Sequence, residues 1–197
     1  MRRRRWGLGV ALVVLLLAPG ALWAAEAKPN PGDMVNNPPY AQWSEFKPGT
    51  RVTQREVVTL PNGEKVEQII THKLLSRDQH QAVVETTTEA AVAGGKSGAA
   101  ESSKTITTFP ARVKMSEVDT PADASSSLTQ GVEDIDVKGK KVITEWTELV
   151  THKGDEVITE KEWTARDIPG GLIKRTVTHK KGDTVVSDSV LELVTFK

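Results

Sequence analysis

The sequence predicts an all-β protein, an antiparallel meander of about nine strands curled into a half or closed barrel, with one short N-terminal helix. The first observation is a series of segments rich in Val, Ile and Thr, which are residue types favoured in strands. The second is a set of tight-turn signals between such segments, at Asn62-Gly63, Gly154-Asp155 and Gly182-Asp183. The third is that no long segment shows the apolar spacing of a helix.

Residues 1–27 are predicted to be an export signal that is cleaved from the mature protein. Arg2–Arg5 form a positive region, and Trp6–Ala18 is an apolar run too short to span a bilayer comfortably. Ala25-Glu26-Ala27 offers small residues at the two positions that a signal peptidase reads. An uncleaved N-terminal anchor is the alternative. We therefore expect a periplasmic or secreted protein with no membrane span after cleavage.

The composition of the mature chain limits its partners and its means of stabilisation. Without Arg2–Arg5 and Glu26, 22 basic and 25 acidic residues remain, so the net charge is near −3. This balance argues against nucleic acid or an anionic membrane surface, because both require a concentrated basic face. The chain has no cysteine, so packing and the sheet ladder must stabilise it without disulfides. The predicted organisation is a signal peptide (1–27), an entry segment (28–50) and one β-sheet domain (51–197).

The entry segment contains a candidate helix over residues 38–46. Asn37 is the candidate N-cap, and the two prolines after it suit a first turn, where their missing N–H groups would have no helical partner. Three rings follow at three-residue spacing and therefore lie along one face: Tyr40, Trp43 and Phe46. We expect these rings to pack onto the sheet. A lid that contacts a ligand is the alternative.

The first part of the sheet domain is predicted to contain four strands and two polar loops. Pro110 removes a ladder donor, so its strand is expected to lie at a sheet edge or to bend there. The adjacent pairs Val57-Val58 and Ile69-Ile70 indicate either bulges or a sheet partly covered on both faces. The predicted strands are Val52–Leu60, Val66–Leu75, Gln81–Val92 and Lys104–Met115, and the predicted loops are 94–100 and 116–131.

The second part of the domain contains a hairpin whose register can be read from the sequence. It runs from Val142 to Ala165 and turns at Gly154-Asp155, so paired residue numbers sum to 309. Trp146 then lies opposite Trp163, and Glu148 lies opposite Lys161 on the same face. The remaining predicted strands are Val132–Val137, Leu172–His179 and Thr184–Phe196.

Three of the four histidines share the local sequence Thr-His-Lys at or near a predicted strand end, at positions 72, 152 and 179. His152 and His179 end strands separated by one other strand, so one hypothesis is a metal site on that rim of the sheet. The neighbouring lysines would repel a cation, and no tight spacing of His, Asp or Glu accompanies them. We therefore predict structural surface histidines, with no metal or cofactor. Zinc binding that is lost in a His152→Ala, His179→Ala variant would contradict this.

The sequence shows no catalytic constellation. It has no cysteine nucleophile and no Gly-x-Ser-x-Gly elbow. Four acidic residues surround the tryptophans and could line a sugar-binding groove: Glu145, Glu148, Glu160 and Glu162. A carboxylate pair for glycoside hydrolysis cannot be inferred without the fold. The prediction is that the protein is not an enzyme.

Two stretches resemble uncharacterised exported β-rich proteins of planctomycete-type bacteria. They are Tyr40-Ala41-Gln42-Trp43 with Phe46-Lys47-Pro48-Gly49-Thr50, and Glu162-Trp163-Thr164 with Pro169-Gly170-Gly171-Leu172-Ile173-Lys174. At the level of architecture, an exported meander with a Trp-bearing strand and a proline turn is also similar to lipoprotein-carrier half barrels. That resemblance implies an apolar concavity that holds acyl chains.

The predicted function is an exported non-enzymatic protein that binds an apolar or acyl ligand on a concave sheet face. The candidate ligand-binding residues are Tyr40, Trp43, Phe46, Trp146 and Trp163. The alternative is an envelope protein–protein interaction module with no small-molecule ligand, which docks through an exposed sheet edge or face. The partner is accordingly a lipid or another envelope protein. The composition fits either a small cavity or a well-filled sheet.

Overall fold

The computed structural model describes residues 32–92, 102–115 and 125–197. The predicted signal peptide and the predicted loop 94–100 lie outside these ranges. In chain order the elements are β1 (Met34–Asn36), α1 (Pro38–Ser44), β2 (Arg51–Thr59), β3 (Lys65–Arg77), β4 (Gln81–Val92), β5 (Ser102–Pro110), β6 (Arg112–Lys114), β7 (Ser125–Val137), β8 (Lys140–Lys153), β9 (Glu156–Thr164), β10 (Leu172–Lys181) and β11 (Thr184–Phe196).

Nine strands form one antiparallel sheet in the order β5-β4-β3-β2-β11-β10-β9-β8-β7. Two meanders, β2 to β5 and β7 to β11, meet where β2 pairs with β11, for example Val57 with Val190. Among the described strands, β5 and β7 are free edges, so the sheet is open and fits the half barrel rather than the closed one. The all-β prediction is confirmed. The short strands β1 and β6 pair separately, with Val35 opposite Val113.

Short turns set the register of the hairpins, as predicted. Trp146 pairs with Trp163, and Glu148 pairs with Lys161. The β8–β9 turn is Gly154-Asp155, and the β10–β11 turn lies at Gly182-Asp183. Between β7 and β8, Lys138 and Gly139 have φ of 55° and 79°, the left-handed pair of a type I′ turn. Pro110 ends the edge strand β5, which confirms the edge position predicted for it.

The predicted loop over residues 116–131 is wrong in its second half. Residues 125–131 belong to β7, which pairs with β8 from Ser125 opposite His152 to Val137 opposite Lys140. The serines and Gly131 have low strand propensity, but β8 is 14 residues long and provides a ladder for the whole of β7. Tertiary pairing overrides propensity in such a strand. Residues 116–124 lie outside the described ranges.

Two further expectations need correction. The β2–β3 register is continuous, so Val57-Val58 and Ile69-Ile70 mark a sheet partly covered on both faces, and not bulges. The helix ends at Ser44 instead of residue 46. Asn37 occupies the N-cap position, but its side chain makes no cap. Its Nδ2 instead donates to the Pro110 carbonyl oxygen at 2.7 Å, which ties α1 to the end of β5.

The sheet register assigns every residue to one of two faces, because cross-strand partners point to the same side. We call the face that contains Glu56 on β2 the inner face. Its next partners along the sheet are Leu191, Arg175 and Glu162, and all four are at most 6% exposed. The opposite, outer face carries the row Arg55, Glu192, Lys174 and Trp163.

One end of the inner face forms the main apolar core. We call it the apolar end, and it consists of Trp43, Val52, Leu74, Ala82 and Val84. The helix α1 places its rings against this cluster. A second cluster of Ala165, Ile168 and Ile173 packs against the β7–β8 hairpin, and Leu193 contacts both clusters.

Candidate functional site

Four ionisable side chains meet at mid-depth on the inner face, where an apolar core would be expected. We call Glu56, Glu160, Glu162 and Arg175 the inner charge cluster; each is at most 9% exposed. Strand alternation places Glu160 and Glu162 together on this face. Arg175 on β10 lies directly opposite Glu162 on β9. Glu56 reaches the same point from β2, on the other side of β11.

The contacts in the inner charge cluster are long. Arg175 Nη2 lies 3.6 Å from Glu56 Oε1, and Arg175 Nη1 lies 3.9 Å from Glu160 Oε1. These distances allow charge attraction but exceed normal hydrogen-bond lengths. Gln68 Nε2 donates to Glu56 Oε2. Within the described part of the chain, Glu56 Oε1 and Arg175 Nε have no hydrogen-bond partner, and each such buried group costs about 1–3 kcal/mol.

Burial changes the protonation of the two β9 carboxyls. Desolvation, reinforced by the charge of Glu160, raises the pKa of Glu162 to about 8, although Arg175 acts in the opposite direction. Burial also raises the pKa of Glu160, again against the effect of Arg175. Glu162 is therefore mostly protonated at neutral pH and can donate a hydrogen bond. The inner charge cluster thus combines a protonated carboxyl, two further glutamate side chains and a guanidinium.

The histidines do not behave as a group. His72 lies in the middle of β3 on the inner face, half-buried, with Nδ1 2.9 Å from Thr86 Oγ1. Burial lowers its pKa to about 4, so it is neutral near pH 7. The prediction of a strand-end surface residue is wrong for His72, because β3 continues to Arg77.

His152 and His179 share a rim of the sheet, as expected, but lie on opposite faces. His152 follows Trp146 at even spacing and is exposed on the outer face. His179 pairs with Ile158 on the inner face, and its Nε2 lies 3.8 Å from Glu156 Oε2. No group of three or more His, Asp or Glu suited to a metal ion occurs in residues 32–92, 102–115 and 125–197.

Beyond the inner charge cluster, towards the hairpin turns, the inner face is partly exposed and carries apolar side chains together with polar ones such as Ser189 and His179. Val58 pairs with Val66, and Val177 pairs with Glu160; these valines are half-buried. Ile158 is 38% exposed. We call Val58, Val66, Ile158 and Val177 the open end. The inner face therefore runs from a filled apolar end through a charged layer to an accessible rim that contains both apolar and polar side chains.

The structure brings three of the predicted ligand-binding residues together at the apolar end. Trp43 is 4% exposed, and Tyr40 and Phe46 pack against the same cluster. The Tyr40 hydroxyl donates to the Asp78 carbonyl oxygen at 2.8 Å. These three rings close the end of the half barrel beside α1.

Trp146 and Trp163, the other two predicted ligand-binding residues, lie on the outer face. Lys161 Nζ lies 4.1 Å from the Trp146 ring centroid and 4.7 Å from that of Trp163, which is cation–π geometry. The Trp163 Nε1–H donates to Glu133 Oε1. Lys161 thus covers both rings. A single ligand on the inner face cannot contact these tryptophans together with Tyr40, Trp43 and Phe46.

The acidic residues around the tryptophans are also divided between the faces. Glu148 lies beside the rings on the outer face, whereas Glu160 and Glu162 point inward. The sugar-binding groove considered from the sequence therefore has no continuous acidic wall. Strand alternation around Trp163 could have predicted this division. No sequence pattern predicts that Glu56 and Arg175 lie beside Glu160, because this contact requires β2 to pair with β11.

Two shallow grooves lie away from the inner charge cluster. One, of about 270 Å³, runs between the β7–β8 hairpin tip and β10–β11, where Val137 and Lys174 line it. The other, of about 400 Å³, lies beside α1 and includes Tyr40 and Arg112. Neither groove is lined by the inner charge cluster. No helix in the described ranges is long and apolar enough to cross a membrane.

Comparison with known proteins gives distant structural likenesses only. No protein-family profile and no curated protein matches the chain. A protein from Bacteroides fragilis described as exported, with a YmcC-like fold, is 11% identical, covers 79% of this chain and 98% of its own, and has a TM-score of 0.42. An S-type phycobiliprotein lyase from Guillardia theta is 11% identical over 78% of this chain and 90% of its own, with a TM-score of 0.32. A LolA-superfamily protein from Nitrosomonas europaea is 10% identical over 81% and 90%, with a TM-score of 0.24.

Proposed function

We propose that this is an exported binding protein without catalytic activity, and that its inner face takes an amphiphilic ligand. The apolar or acyl part of the ligand lies on the open end, and its polar group reaches the inner charge cluster. The observation that carries this proposal is the buried charged layer, with unpartnered atoms on Glu56 and Arg175, directly beside half-exposed apolar side chains. The predicted signal peptide supports a periplasmic or extracellular location.

The energetic argument starts from the cost of buried charge. Well-packed apolar residues stabilise a core at least as well as a buried ion pair of the same volume. Buried ionisable groups with strongly shifted pKa values are therefore enriched at functional sites. A ligand with hydrogen-bonding atoms can satisfy Glu56 Oε1 and the Arg175 Nε–H, whereas a pure hydrocarbon leaves both unsatisfied. An amphiphile consequently fits the inner face better than a wholly apolar molecule.

A pair of neighbouring substitutions tests the location of the ligand. Val177 on β10 points to the inner face, and Thr176 beside it points to the outer face. We expect the fluorescent fatty acid 11-(dansylamino)undecanoic acid to bind the wild type. Val177→Glu should weaken binding about tenfold or more, because it places a charge against the acyl chain, and Thr176→Glu should leave it nearly unchanged. No binding by the wild type, or equal effects of both substitutions, would contradict the proposal.

Native mass spectrometry of the protein purified from its own envelope tests the class of ligand. We expect a co-purifying amphiphile. A brominated acyl chain should leave the fluorescence of Trp146 and Trp163 unquenched, because Lys161 covers both rings on the outer face. Strong quenching of these two tryptophans would place the ligand on the outer face and overturn the proposal.

The second candidate function is an interaction module without a small-molecule ligand. It is favoured by large apolar side chains exposed near the free edge of β7, namely Leu128, Val132 and Ile143. A ligand-free protein that captures one envelope protein would support this candidate and exclude the amphiphile.

A further inference from the structure

The free edge of the sheet at β7 carries an unusual set of exposed apolar side chains. Leu128, Val132 and Ile143 are 59%, 68% and 73% exposed. Val132 pairs with Glu145, and Asp134 pairs with Ile143, so these apolar residues share one face across β7 and β8. Long edge strands with exposed apolar residues readily pair with another chain. The described part of β7 contains 13 residues and no proline.

The turn geometry determines which backbone groups of β7 point to the free edge. In a two-residue type I′ hairpin, the residues that flank the turn form a hydrogen-bonded pair. Here these residues are Val137 and Lys140, and the register continues without a shift to Ser125. Odd-numbered residues of β7 therefore bond to β8. The even-numbered residues direct N–H and C=O to the free edge, and they include Leu128, Gln130 and Val132.

We infer that β7 pairs antiparallel with β7 of a second copy of this chain, about a two-fold axis at Gln130. In this register the numbers of paired residues sum to 260. Between Ser126 and Asp134, every residue whose N–H and C=O point to the free edge lies opposite another such residue. Leu128 lies opposite the partner subunit's Val132, and this contact occurs twice. Such cross-strand pairs are the unit of sheet stabilisation.

The charges around Gln130 also favour a second copy as the partner. Asp134 faces the partner subunit's Ser126, and Glu133 faces the partner subunit's Ser127, so no like charges are opposed. An axis at Val132 would instead set Leu128 against the partner subunit's Asp136. The sequence of β7 is thus complementary to itself in the register centred on Gln130. This dimer pairs the backbone edge of β7. Its side-chain contacts lie on the inner face, because Gln130 pairs with Thr147 and Thr147 pairs with Glu162.

Sedimentation of the chain without residues 1–27 tests the dimer. We expect a wild-type dimer and, for Val132→Lys, a dissociation constant about tenfold higher or more, because a lysine replaces an apolar contact on each side. Ile106→Lys is the matched control, since Ile106 is 60% exposed on the other edge strand, β5. It should sediment as the wild type does. A wild-type monomer at about 100 μM, or equal effects of the two lysines, would overturn the inference.

Disulfide trapping tests the register independently of stability. The chain has no cysteine, so Gln130→Cys introduces one thiol at the proposed axis. Opposed residues in hydrogen-bonded antiparallel pairs have Cα atoms about 5.5 Å apart, which a disulfide can bridge. Ser126→Cys is the control, because its two copies would lie about 26 Å apart. We expect a cross-linked dimer for Gln130→Cys only. Cross-linking of Ser126→Cys, or none for Gln130→Cys, would overturn the register.

Discussion

At the scale of single residues, burial on the inner face keeps two ionisable groups neutral near pH 7. It raises the pKa of Glu162 to about 8 and lowers the pKa of His72 to about 4. The two shifts have opposite consequences for stability. Glu162 loses its stabilising protonated form as pH rises, whereas His72 is destabilising only when acid forces it to become charged.

We expect the wild type to lose stability between pH 4.5 and pH 8, and we expect Glu162→Gln to remove most of this loss. Folding raises the pKa of Glu162 from the ordinary glutamate value of 4.5, so the folded state binds more protons in this range. The free energy of unfolding therefore falls as pH rises, by roughly 3–5 kcal/mol for this group. Urea unfolding of both proteins at several pH values measures the difference.

The pH curve of the variant must be compared with that of the wild type. The lowered pKa of His72 makes the free energy of unfolding rise with pH between pH 4 and 6.5, which opposes the effect of Glu162. Glu67→Gln on the outer face is the control. Arg55 lowers the pKa of Glu67, so this substitution should not flatten the alkaline side of the curve. Parallel pH curves for the wild type and Glu162→Gln would show that Glu162 is ionised in the folded protein.

Trp43→Ala should destabilise the protein by about 3–5 kcal/mol, because removal of a buried ring leaves a cavity. Trp43 is 4% exposed and contacts the apolar end of the sheet. Thermal unfolding measures the effect, and Phe196→Ala, at a side chain that is 45% exposed, should change the melting temperature far less. An unchanged melting temperature for Trp43→Ala would mean that α1 is not docked.

At the scale of elements, the β8–β9 hairpin carries Trp146 and Trp163. The ring of Trp146 restricts which residue β7 can place opposite it. Gly131 lies opposite Trp146. A Cβ atom at position 131 would lie 2.7 Å from Cζ2 of the Trp146 ring, too close for an ordinary contact. The ring occupies the space that a side chain would need, and Lys161 holds it from the other strand. This explains a glycine in the middle of a 13-residue strand.

Gly131→Ala should therefore destabilise the protein by about 1–3 kcal/mol through overpacking. A double-mutant cycle with Trp146→Leu checks the cause, because Gly131→Ala should cost much less once the ring is absent. Additive effects of the two substitutions would show that the ring of Trp146 is not responsible.

At the scale of the whole molecule, the two meanders depend on the seam between β2 and β11. Side chains cross that seam on the inner face. Arg175 of β10 approaches Glu56 of β2, and Gln54 Nε2 donates to the Leu172 carbonyl oxygen at 2.9 Å. The inner charge cluster therefore links the N-terminal meander to the C-terminal one, in addition to the ladder itself.

Arg175→Met should destabilise the protein by about 3–5 kcal/mol, because it leaves Glu56 and Glu160 buried without a cation. Arg55→Met, which breaks the exposed pair with Glu67 on the outer face, is the matched control and should have a much smaller effect. Denaturant unfolding compares the two. A similar loss for both substitutions would show that the inner charge cluster is solvated and not buried.

The all-β class, the local hairpins and the pairing of Trp146 with Trp163 could be predicted from the sequence alone. These features depend on short turns and on alternation along one strand, both of which are local. The open sheet order, the full length of β7 and the inner charge cluster could not be predicted in this way. Each of these requires strands far apart in the chain to pair, as β2 does with β11. That pairing places Glu56 beside Arg175, and no local pattern in the sequence encodes the contact, because the interaction forms only when the two meanders meet.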